Sequence, residues 1–337
     1  MAQRLGGAKR LNTIQEGPPD EPILDRGYPS RRIANDLEPH VAYLAELVDY
    51  GVQFMKRALA SSARDVPAVV ILPVLLRQAL AFADAVYIHL RAGAVYSSVP
   101  DLRSLFEATL SMEWILVGPP SRRVPTDEWV SNWTRQFYVA ELRAERVWTR
   151  RCVPGTHDHA VFRKAAPKLA ADLVSKPAVV QGARDRLKEI QRHIRSRPLL
   201  RAANQRLGPL AKKLGREPEW YRPAGPSSLR QMAQRLERDA EYEVLYKQWS
   251  EVSHGSRSST HISITGSTLV IDPIRSPAEL PTILLLTSRV LERALLLAMD
   301  RFRPDEVATF ADKRTGEWAQ MRRVPEVSLN FELTGKV

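Results

Sequence analysis
PAVVILPVLLRQALAFADAVYIHL, residues 67–90, is the stretch on which the reading of the fold turns. Pro67 suits the first turn of a helix, where its missing N–H is not needed, and Gly93 stands near the point where the pattern ends. Apolar side chains cover nearly every side of the helix so written, which predicts a place at the centre of a bundle.

Outward from this segment the same period recurs. Upstream, Leu44, Leu47, Val48, Val52, Phe54, Met55 and Leu59 follow at the three- and four-residue spacing of one helix face. Downstream, Pro100 opens a helix that must stop near Gly118-Pro119-Pro120. Thr126-Asp127 is read as the cap of another, carrying Trp129, Trp133, Phe137, Leu142 and Val147. Residues 160–214 read as helix broken at Pro177 and Pro198, and Pro281 to Phe302 is the last strong helix. Between Glu241 and His254 a helix closed by Gly255 is expected. His261, Ser263, Leu269 and Ile271 then alternate around Gly266-Ser267, the period of a strand pair. Val327 to Leu333 could add an edge strand.

The fold class expected is therefore all-α, a multi-helix bundle with a small β-hairpin near residues 260–272. Residues 1–34 read as a disordered tail, 35–303 as the helical domain and 304–337 as a C-terminal extension.

With 44% apolar residues in 337, the chain can bury a substantial core. Cys152 is its only cysteine, which excludes an internal disulfide and a zinc site built on several thiolates. No apolar run follows the early bases Arg4, Lys9 and Arg10, and Arg289, Glu292 and Arg293 interrupt the longest apolar helix. Neither secretion nor membrane spanning is expected, and the cytoplasm is the expected compartment.

The formal charge is +12, and much of the excess is local. Residues 184–216 hold eleven bases against Asp185 and Glu189, a net +9. Such a block draws polyanions by counterion release, although aromatic residues for base stacking are absent from it. Arg192, Arg195, Arg197, Lys212, Lys213 and, further on, Arg257 are the expected nucleic-acid contacts. A solvated helix face is the competing reading.

The sharper signal is on the helix from Pro100. On a 100° wheel Arg103, Glu107, Leu110 and Trp114 share an arc of about 60°, while Leu102, Leu105, Phe106 and Met112 fill much of the rest. A guanidinium and a carboxylate on a helix packed all round need each other and a third polar partner. The segment from Glu241 offers one, since Tyr246, Ser250 and His254 climb it at intervals of four. His254, in the last turn, is placed for phosphate binding or proton donation.

These two patterns, Arg103-x-x-x-Glu107 and Tyr246-x-x-x-Ser250-x-x-x-His254-Gly255, resemble the bacterial domain-of-unknown-function family five-six-seven-seven. Ser228-Leu229-Arg230 in the segment Trp220 to Ala233 is similar as well. The resemblance spans about residues 41–302 and implies that both motifs belong to one site. A wider similarity is to the HEPN-type helical domains of toxin and phage-defence systems. It implies nucleotide binding or RNA cleavage, with Lys247 standing where those ribonucleases carry an arginine before the histidine.

Two functions follow as expectations. One is a sensing or partner-binding module of a bacterial stress or phage-defence system, its Arg/Glu/Tyr/Ser/His pocket taking an anionic ligand. The other is a metal-independent ribonuclease, with Arg103 on the phosphate and His254 as acid or base. Expected partners are RNA or another anion, a protein partner and a second copy of the chain as a homodimer; no cofactor and no metal are expected. His157-Asp158-His159, near Cys152, has the residue types of a metal site but is read as loop.

Overall fold
The structure is a computed structural model, and it describes residues 37–61, 67–223, 225–247, 262–265, 268–271 and 279–322. Its helices, in chain order, are α1 (Glu38–Ser61), α2 (Arg77–Arg91), α3 (Val99–Leu116), α4 (Thr126–Arg151), α5 (His157–Ala165), α6 (Pro167–Val174), α7 (Pro177–Ser196) and α8 (Pro198–Leu214). There follow α9 (Leu229–Arg235), α10 (Asp239–Tyr242), α11 (Leu280–Phe302), α12 (Glu306–Thr315) and α13 (Ala319–Arg322). The fold is helical. Two short strands, β1 (Ile262–Thr265) and β2 (Thr268–Ile271), pair antiparallel with Ile262 opposite Ile271 and Thr265 opposite Thr268. No described helix is long and apolar enough to cross a membrane.

Proline sets most helix starts. α6, α7 and α8 each open on one, at Pro167, Pro177 and Pro198, so the expected run from 160 to 214 has a further break at Pro167. Within 67–90 proline acts differently. Pro73 has no N–H to give to the ladder, and the chain winds as a tight turn at Pro67–Val70 and a wide i→i+5 turn at Leu72–Leu76 before becoming regular at Arg77. The expected single helix is thus three pieces. Nor is it buried all round: Arg77, Ala81, Asp84 and Ile88 form an exposed stripe at helical spacing. At α4 the cap position belongs to Pro125, without a side-chain bond, and the expected caps Thr126 and Asp127 lie inside the helix. The Ser228 hydroxyl does cap α9, accepting from the Gln231 N–H at 3.2 Å.

The described residues divide into two compact units. The first holds the residues up to Ser61, Leu72–Glu113 and those from Arg238 on. Its core is α1, α2 and α11, which pack on one another through Leu44, Leu47, Phe54, Ala83, Val86, Leu291 and Leu295, all buried. Gly51 makes this approach possible, since a Cβ there would lie 2.4 Å from Leu80 Cδ2 and 3.0 Å from Leu295 Cδ2. α12 and α13 close over α1 with an aromatic cluster of Tyr43, Tyr50, Phe310 and Trp318.

The second unit holds Pro67–Ile71 and Trp114–Glu237, with α7 and α8 laid along α4. Val139 packs with Leu200, Ala203 and Leu207, and Leu142 with Ile190 and Ile194. Elsewhere in this unit Trp114, Trp129 and Trp133 are in mutual ring contact at 5.4–5.5 Å between centroids, and Trp220 joins them through Trp133 at 5.8 Å. Gly118 has φ +78°, and a Cβ there would meet the Trp129 indole at 2.7 Å. The glycine both ends the α3 segment and admits the ring.

Candidate functional site
In the first unit, α3 places Arg103 and Glu107 one turn apart, and their Nε and Oε1 atoms are 3.4 Å apart. The third partner comes from 143 positions further along the chain. α10 runs into a second wide turn, Glu243–Lys247, where Tyr246 lies; turns of this kind recur at functional sites because they re-aim a side chain. Arg103 Nη2 donates to the Tyr246 hydroxyl at 2.7 Å, and its Cζ lies 4.1 Å from the centroid of that ring. Tyr242 stacks on Tyr246 with centroids 5.0 Å apart and planes 19° from parallel. Guanidinium and two phenol rings thus form one layered group.

This group is not sealed. The Arg103 and Glu107 side chains are 21% and 42% exposed. Burial nonetheless pushes the Glu107 carboxyl above the usual carboxylate range, and the pull of Arg103 and the Tyr246 hydroxyl only partly opposes it. The Tyr246 phenol is raised too, by burial first and by the Glu107 charge second, so it stays a hydrogen-bonding hydroxyl at neutral pH. The arrangement offers an oriented guanidinium and a carboxyl disposed to take a proton.

Of the second motif only Tyr246 is described; Ser250 and His254 lie outside the described residues, as do Arg257, the Gly255 helix end and the expected strand at 327–333. Arg103, Glu107 and Tyr246 are the sequence-picked residues that come together.

A neighbouring cluster in the same unit was not found from sequence. Glu113, 7% exposed, accepts from Arg238 Nη2 at 2.8 Å and Nε at 3.2 Å and also pairs with Arg293. Arg293 Nη1 in turn donates to Glu241 Oε2 at 2.5 Å. Burial pushes the Arg293 guanidinium down to about 10. Glu113 shares α3 with Arg103 and Glu107, and a carboxylate between Met112 and Trp114 was the available signal. Its partners lie too far along the chain for spacing to name them.

In the second unit the basic run lies on α7 and α8. Arg192, Arg195, Arg197, Lys212 and Lys213 are exposed and form no ion pair among the described residues. Arg186, Lys188 and Arg216 are committed, to Glu145 and Glu189, to Asp185 and to Glu219 respectively. The remaining bases keep their charge for solvent or a polyanion.

His157-Asp158-His159 is the first turn of α5, not a loop, because the Thr156 hydroxyl caps it by accepting from the His159 N–H at 3.1 Å. His159 Nδ1 donates to the Arg151 carbonyl at 2.7 Å, and Asp158 pairs with Arg150 at 3.3 Å. Among the described residues no group of three His, Cys, Asp or Glu side chains could hold a metal ion.

A family model described as "Family of unknown function (DUF5677)" matches residues 69–266, more than half of the chain and inclusive of both motifs. No curated protein and no solved structure matches.

Proposed function
We propose that this chain, which belongs to the family of unknown function DUF5677, is a helical sensing or partner-binding module that takes an anionic ligand at Arg103, Glu107 and Tyr246 without turning it over. The observation that carries this reading is the Arg103 guanidinium, held by Tyr246 and Glu107 yet partly open to solvent. A fixed, planar donor of this kind binds an oxyanion at small ordering cost. In the same reading Ser250 and His254, which continue the motif at four-residue steps, supply a hydroxyl and an imidazole to the same ligand. Membership of a bacterial stress or phage-defence system is part of the proposal and rests on the resemblance to helical defence domains alone.

The free bases on α7 and α8 favour a second reading, a metal-independent ribonuclease using Arg103 and His254. One experiment separates the two. Purified chain is titrated with nucleoside mono- and diphosphates and incubated with total RNA, beside Arg103→Gln, Tyr246→Phe and His254→Ala. Saturable nucleotide binding, weakened by Arg103→Gln and Tyr246→Phe, with RNA left intact, is the expected result. RNA cleavage that disappears in His254→Ala would replace the binding reading with the ribonuclease. Absence of both binding and cleavage would remove both.

A further inference from the structure
A polar hollow lies in the first unit, and all of its lining comes from outside the family-matched stretch. It encloses about 310 Å³ among α1, α11, α12 and α13, at the lower end of the size range of small-molecule sites. Leu284, Leu285 and Ala319 give it an apolar wall, and three guanidiniums, Arg289, Arg314 and Arg322, line it with a single carboxylate, Glu292.

That carboxylate is already saturated. Glu292, 5% exposed in its side chain, accepts from the Tyr43 hydroxyl at 2.6 Å and from Arg322 Nε at 2.9 Å and Nη2 at 3.1 Å. Arg314 Nη2 also reaches it at 2.6 Å. It has no capacity left for a further donor, and the Tyr43 proton is held in place by burial and by this bond, which raise the phenol far above its ordinary range.

What is left over consists of donors and positive charge. Ser288, 6% exposed, lines the cavity with a buried hydroxyl that has no hydrogen-bond partner among the described residues. Arg314 Nε is buried and likewise has no hydrogen-bond partner among the described residues. Arg289, next to Ser288 on α11, is exposed and makes no ion pair among the described residues. His40 donates from Nδ1 to the Met321 carbonyl at 2.6 Å, because a carbonyl can only accept, and this contact ties α1 to α13 beside the cavity. Buried donors without acceptors are costly to leave so, and a ligand that brings oxygen lone pairs and negative charge satisfies them.

We propose that this cavity binds a small oxyanion, a compact organic carboxylate or phosphate, through Arg289, Ser288 and Arg314. The site is separate from that at Arg103, and the proposal does not depend on it.

The test is hydrogen exchange of the full chain with inorganic phosphate or succinate added, sodium chloride at matched ionic strength serving as the blank. Slowed, saturable exchange in residues 280–302 and 306–322 is expected with at least one probe, and the probe that acts identifies phosphate or carboxylate as the recognised group. Ser288→Ala and Arg289→Gln should each raise the half-saturating concentration about tenfold, since each removes one donor to a charged acceptor. Neither side chain has a hydrogen-bond or ion-pair partner among the described residues, so both variants should melt with the parent chain. Arg103→Gln should leave the protection unchanged. Protection that sodium chloride reproduces, that survives both variants, or that fails to appear with either probe would overturn the proposal.

Discussion
Replacing Glu113 by glutamine keeps the shape of the side chain and removes its charge, and the consequence falls chiefly on Arg293. In the parent chain Glu113 is 7% exposed and is shared by Arg238 and Arg293, whose own side chain is 19% exposed. After the change Arg293 keeps, among the described residues, Glu241 at 2.5 Å as its carboxylate partner, and one of two nearby cations is left short of charge in a poorly solvated place. Breaking a buried pair in this way costs about 3–5 kcal/mol, and the surviving Glu241 contact puts Glu113→Gln near the lower bound, about 3 kcal/mol. For a unit of this size that is a drop of roughly 6–12 °C in the melting temperature. Melting followed by far-ultraviolet circular dichroism reads it directly. A second variant makes the argument specific: Glu113→Gln with Arg293→Met removes the stranded cation together with its partner, and should recover most of the loss. A single variant that melts within about 2 °C of the parent, or a double variant less stable than the single, would show that the cluster does not carry a buried charge at all.

Other outcomes follow from features already described. Gly51→Ala should destabilise the first unit by about 1–3 kcal/mol in urea unfolding, because the new methyl meets the packed ends of Leu80 and Leu295; an unchanged midpoint would mean that these side chains swing aside freely. The raised Glu107 carboxyl means that the folded chain holds this proton more tightly than the unfolded one, so stability falls as pH rises from the ordinary carboxylate range through the raised value and is level above it. Glu107→Gln should accordingly raise the melting temperature at pH 7 relative to that at about pH 4, compared with the parent chain, and an unaltered difference would refute the burial argument. Lys212→Glu with Lys213→Glu should elute from a heparin column at distinctly lower salt than the parent, whereas reversal at Arg186, already paired with Glu145, should shift elution less.

Helix positions were legible in the sequence wherever proline or a clear three-and-four spacing marked them, as at Pro177, Pro198 and the α11 segment. The winding of 67–90 was not, because a run of Val, Ile and Leu fits a regular helix and a wide turn equally well, and only the missing N–H of Pro73 separates them. Arg103 and Glu107 could be paired because they are four residues apart on one helix, and Tyr246 because it opens a row of polar residues. The Glu113, Arg238, Glu241 and Arg293 cluster had no such local pattern: Glu113 and Arg238 are 125 positions apart. The cavity was hidden for the same reason, its walls coming from α1 early in the chain and from α11 to α13 late in it.

The four indoles gathered in the second unit give the molecule a built-in optical probe. Rings this close exchange excitation and couple their transitions, so the near-ultraviolet circular dichroism of the intact chain should be dominated by that cluster. Trp148, 64% exposed, should emit at longer wavelength than these enclosed rings and serve as a reference on the same polypeptide. Loosening of the second unit can therefore be followed in unlabelled protein, while Trp318, buried between Tyr43 and Phe310, answers to events in the first.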